Sequence, residues 1–132
     1  MYLRFTTPGV VTRARVAPGL FRPALDLWWD NEDRDGPRDP LLLAIRHELD
    51  WFNDWLPAPS RFDVKARGRR WADGVCWFRA QAREMLTHAH TLAALLGEKD
   101  VPVERHWTRD PGQVLYRDDW QVVAKPERWM LG

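Results

Sequence analysis

Cysteine, serine and long apolar runs are scarce in this sequence. Cys76 is its one cysteine, so no intramolecular disulfide can form and a domain stapled by disulfides is excluded. Ser60 is its one serine, between Pro59 and Arg61. It reads as a loop or capping hydroxyl, and no Gly-x-Ser-x-Gly elbow is present. Wholly apolar stretches are only a few residues long, as at 41–45, against the ~20 that a membrane-spanning helix needs. The opening Met1-Tyr2-Leu3-Arg4-Phe5 lacks the apolar run of a signal peptide. Neither end reads as a lipidation motif, and a cytoplasmic protein is expected. An excess of one charge is missing too. The 20 Lys+Arg and 19 Asp+Glu leave a formal charge of +1. That excludes the global signature of a strongly basic nucleic-acid binder, though not a local basic patch.

The composition fits one domain. A chain of 132 residues with 45% hydrophobic and 30% charged residues has globular values and length enough for a core. Tyr2, Leu3 and Phe5 predict a strand over 2–6, ended by Thr7-Pro8-Gly9. Residues 10–17 read as a short edge strand. Phe21, Ala24, Leu25 and Trp28 recur at helical spacing over 20–29, and 30–39 form a polar loop. Asp39 with Pro40 behind it caps a helix over 40–56. Leu42, Ile45, Leu49 and Phe52 lie in its apolar stripe, and Pro57-Ala58-Pro59 stops it. Residues 57–73 read as a second polar loop, irregular and basic from Arg61 onward.

Residues 75–78 predict a buried strand, and 80–96 a helix closed by Gly97. A strand over 101–108 follows, then a type II turn at Asp110-Pro111-Gly112-Gln113. Strands over 113–117 and 120–125 join through Asp118-Asp119, which lacks the usual glycine. Strand 75–78, helix 80–96 and strand 101–108 suit one right-handed βαβ unit, and the last three strands suit a contiguous antiparallel meander. The expected fold is α+β: a small mixed, largely antiparallel sheet with about three helices mainly on one face. A C-terminal tail, 126–132, follows.

Several segments together resemble a family of small uncharacterised bacterial proteins. They are Glu48-Leu49-Asp50-Trp51-Phe52-Asn53 with Leu56-Pro57-Ala58-Pro59, then Cys76-Trp77-Phe78, Asp110-Pro111-Gly112 to Tyr116, and Gln121-Val122-Val123-Ala124 with Pro126. The resemblance spans about residues 48–126. It implies a bacterial source and a compact domain, and it brings no activity or site residues.

Chemistry-bearing patterns are few. His88 and His90 project about 200° apart on a helix and cannot share an ion. Glu84 and His88 share a face, which reads as a helix-surface pair or as two ligands of an incomplete metal site. Cys76 has Val75, Trp77 and Phe78 as neighbours and reads as a buried, inert thiol. A small enzyme using Cys76 or a histidine–carboxylate pair stays an alternative. No glycine-rich phosphate loop, metal motif or cofactor motif appears. Asp118 and Asp119 precede Lys125 without the carboxylate a nuclease strand would place at Val123, and they read as turn residues.

Nine tryptophans are the unusual feature. Trp28 and Trp77 are the core candidates, whereas Trp29, Trp55, Trp71 and Trp129 fall at polar margins. Aromatics beside arginine are enriched at interfaces. The expected contact surface is therefore Trp55, Trp71 and Trp129 with Arg67, Arg69 and Arg70, and the expected partner is another protein or a second copy of the chain. A nucleic-acid accessory role for the basic loop 61–71 is the alternative.

Overall fold

The computed structural model describes residues 1–10, 16–31, 38–61, 63–66 and 69–130, with the backbone alone for 63–66, 69–73 and Arg128. Its centre is a five-stranded sheet, formed by β1 (Tyr2–Thr6), β4 (Val75–Arg79), β5 (Glu104–Thr108), β6 (Val114–Arg117) and β7 (Gln121–Ala124). The strand order is β5-β1-β4-β7-β6, and every neighbouring pair is antiparallel. Helices α1 (Phe21–Asn31), α2 (Pro40–Trp55) and α3 (Arg83–Glu98) complete an α+β fold.

Strand parity divides the core in two, because alternate side chains face opposite sides of a sheet. Leu3, Phe5 and Phe78 pack with Leu42, Ile45, Phe52, Met85 and Leu92 of the helices. On the other face, Val75, Trp77, Val122 and Ala124 form a smaller cluster with Val16, and Met130 packs against it. There Arg4 is buried and its Nη2 donates to Ala17 O at 2.9 Å. Burial lowers its pKa.

The cap expected at Asp39 is present. Its Oδ1 accepts from Leu41 N at 2.9 Å, with Pro40 in the first turn, and Lys99 from the end of α3 pairs with its other oxygen. The α3 helix outruns its predicted end. Asp100, not Gly97, takes the left-handed conformation at φ 62°. Asp100 N donates to Gly97 O and Val101 N to Leu96 O, the paired bonds of a Schellman end.

Three expectations need correction. The last three strands do not form a contiguous meander. β6 and β7 pair, but β5 pairs with β1 through five registered positions, Tyr2↔Thr108 to Thr6↔Glu104. Four inter-strand steps of about 4.8 Å therefore separate β5 from β6, and no tight turn can join them. The Asp110–Gln113 segment instead links opposite sheet edges, although Gly112 does adopt φ 88°. The β4-α3-β5 unit is split, since β1 lies between two strands that run parallel to each other.

Secondly, 57–73 is not wholly irregular. β2 (Asp63–Ala66) and β3 (Arg69–Asp73) pair as a separate antiparallel sheet. The polar–apolar alternation of Asp63-Val64-Lys65-Ala66 carried that signal beneath the basic composition. Thirdly, the C-terminal tail is structured in part: Arg128–Met130 form a 3-10 turn. Most of the expected edge strand over 10–17, most of the polar loop 30–39, and Arg67 lie outside the described residues.

Candidate binding cleft

The helices cover one sheet face. The other carries a cleft of about 290 Å³ beside the central strand. Trp77 of β4 lines it from within, His106 and Trp107 from edge strand β5, and Asp110 from the crossing segment. Glu127 and Trp129 close it from the C-terminal turn. The β5–β6 crossing thus assembles the site, because it brings Asp110 beside residues far away in sequence.

Trp77 is 3% exposed, whereas Trp107 and Trp129 are 55% and 67% exposed. The Trp77 indole N–H is buried without a hydrogen-bond partner among the described residues. Such a group costs about 1–3 kcal/mol, and buried donors are nearly always paired. On the β5 wall, His106 Nε2 lies 2.9 Å from Thr6 Oγ1 and 3.6 Å from Glu104 Oε2. Asp110 Oδ1 accepts from Gly112 N at 2.9 Å, which fixes the carboxylate on its own segment. Among the described residues, the ionisable lining groups are His106 and the carboxylates of Asp110 and Glu127.

Of the residues expected to form one contact surface, Trp129 lines this cleft. Trp55 is 63% exposed, but it ends α2, which packs on the opposite sheet face. Arg69, Arg70 and Trp71 lie on β3, where only the backbone is described, and Arg67 is outside the described residues. The described residues therefore do not unite the expected set. Sequence reading missed Trp107, Asp110 and Glu127 because the assumed meander placed their segment elsewhere.

The other chemical candidates have structural partners. His88 does not form the expected pair with Glu84. Its Nδ1 meets Glu48 Oε2 of α2 at 2.6 Å. His90 Nδ1 accepts from Arg105 Nε at 3.1 Å, and its ring meets Phe5 edge-on. Burial pushes the Cys76 thiol up to about 12, against a smaller opposing pull from Arg4. The side chain is half-buried rather than fully buried, and a raised thiol pKa is in keeping with the inert reading. Among the described residues, no cluster of three or more His, Cys, Asp or Glu is placed to hold a metal, and no helix is long and apolar enough to cross a membrane.

No family model, curated protein or solved structure matches this chain. The reading of the site therefore rests on its own geometry.

Proposed function

We propose that this chain is a non-catalytic, cytoplasmic binding module that takes its partner in the tryptophan-lined cleft of the open sheet face. The observation that carries this reading is the cleft of about 290 Å³ on the sheet face that the helices leave open, with Trp129 in its wall 67% exposed. A bound group would cover that apolar ring, which is favourable. The thiol is held neutral, which favours binding over nucleophilic chemistry at Cys76. The test is native mass spectrometry of the full chain after equilibration with an extract of its host. A bound species should survive Trp55→Ala and disappear in Trp129→Ala. Absence of any Trp129-dependent species would remove this reading.

A second contact surface is favoured by the β2–β3 register. Lys65 and Arg70 are Cα partners in that register, so the small sheet carries the basic sequence positions Lys65, Arg69 and Arg70 together. An acidic surface on a partner protein would complement that basic sequence. Trp71→Ala combined with Arg69→Ala should then weaken capture of the partner while leaving the fold intact. Unchanged capture would dismiss this surface.

A further inference from the structure

The two edges of the main sheet differ. β6 carries a register shift between Val114 and Tyr116, and bulges of this kind hinder an edge from pairing with another chain. β5 pairs with β1 through five consecutive positions without a shift. It holds no proline or lysine between 104 and 108, and no described strand lies on its outer side. Two bonds settle which way its backbone faces. Ala80 N donates to Met1 O and Arg79 N to Trp120 O, so even residues of β4 bond towards β1 and odd ones towards β7. Leu3, opposite Phe78, therefore bonds to β4, whereas Tyr2, Arg4 and Thr6 bond to β5. Their partners Thr108, His106 and Glu104 turn their amides and carbonyls inward. The amides and carbonyls of Arg105 and Trp107 point outward, without a backbone partner among the described residues.

The same register places the side chains. Arg105 stands opposite Phe5 and Trp107 opposite Leu3, so both lie on the helix-covered side of the sheet. Trp107 is 55% exposed there. Arg105 is exposed too, yet held in place: its Nε donates to His90 Nδ1 at 3.1 Å, and its Cζ lies 5.5 Å from the Phe5 ring centroid. A planar guanidinium held over one ring can take a second ring on its other face.

We propose that β5 pairs antiparallel with β5 of a second copy of this chain, about a two-fold axis at His106, joining the two main sheets into one. This inference is independent of the cleft. Outward backbone groups must meet outward groups, so the axis falls at residue 105, 106 or 107. An axis at Arg105 opposes two arginines, and one at Trp107 brings Arg105 to the partner's Arg109. Like charges at opposed positions are unfavourable. An axis at His106 instead sets Arg105 opposite the partner's Trp107 and Trp107 opposite the partner's Arg105, all on one sheet face. The interface is self-complementary, as a two-fold contact requires. Every outward amide and carbonyl of the strand gains a partner, and each exposed indole meets a guanidinium already fixed in place.

The test is sedimentation equilibrium of the full chain, joined to residue-resolved amide hydrogen exchange at low and high protein concentration. A dimer is expected. The amides of Arg105 and Trp107 should exchange about tenfold more slowly at the high concentration, whereas those of Glu104, His106 and Thr108 are protected at both. Trp107→Arg sets arginine against arginine twice across the axis and should weaken the dimer about tenfold. Trp107→Phe keeps a ring there and should retain it. Circular dichroism would confirm that both variants are folded. A monomer at every concentration up to about 1 mM, or a dimer whose Arg105 and Trp107 amides stay unprotected, would overturn the proposal. An unweakened Trp107→Arg dimer would overturn the axis at His106.

Discussion

His88 lies flat on Trp51, with ring centroids 3.6 Å apart and planes 12° apart. Its Nδ1 meets Glu48 Oε2. One imidazole from α3 is thus clamped by two side chains of α2, three residues apart and on one helix face. Glu48 is buried, so the bond satisfies a carboxylate that would otherwise be costly to desolvate. Glu48→Ala should cost about 1–3 kcal/mol of stability. In a double-mutant cycle with His88→Ala, urea denaturation should give a coupling above about 0.5 kcal/mol. Additive losses would show that the pair does not hold the helices together.

The Asp118 carboxylate replaces the glycine missing from the last hairpin. Oδ1 accepts from Trp120 N and Gln121 N at 2.8 and 2.9 Å, and Oδ2 accepts from Tyr116 OH and Gln121 Nε2 at 2.9 and 3.1 Å. Burial alone would raise its pKa, but these four donors outweigh burial and hold it below the ordinary carboxylate value. A depressed folded pKa gives stability that is present above the unfolded value of about 3.9 and lost as pH falls through the folded value. Asp118→Asn should therefore cost about 1 kcal/mol at neutral pH, with solvent screening allowed for. It should also flatten the acid limb of the stability profile. An unchanged limb in thermal melts from pH 6 to pH 2 would refute the assignment.

Cys76 should react slowly with thiol reagents in the native protein. Its thiol is pushed up to about 12 by burial, while an unfolded cysteine titrates near about 8.5. The neutral thiol's contribution is fully present below the unfolded value and is lost as pH rises towards the folded one. Native labelling should lag that of urea-unfolded protein by at least about tenfold at pH 8. Equal rates would return Cys76 to the list of reactive groups.

Asp100 carries a non-glycine residue into the left-handed region at φ 62°. Glycine adopts that conformation without the Cβ clash. Asp100→Gly should stabilise the protein by about 0.5–1 kcal/mol, read as a higher urea midpoint at unchanged slope. A lower midpoint would mean that the Asp100 side chain supports the helix end in some other way.

The local elements were legible in the sequence because local rules set them. Asp39-Pro40 marked the start of α2 and Pro57 its end, and the spacing of Leu42, Ile45, Leu49 and Phe52 marked its buried face. The alternation of Val75 with Trp77 and of Val122 with Ala124 was local as well, and it explains the cluster on the second face.

What the sequence by itself determined, then, was where the helices and the five strands of the main sheet lie and that they make an α+β fold. Strand order was a tertiary outcome. β5 has a short connection to β6, yet its edge pairs with β1, about a hundred residues away. That choice depends on which edge the β4–α3 crossover leaves open, and no local propensity records it. The partner of His88 was likewise decided between helices, since Glu84 and Glu48 are both carboxylates and only packing selects one. The cleft depends on the same decision. Trp77, Trp107, Asp110, Glu127 and Trp129 become neighbours only because the chain crosses from one sheet edge to the other.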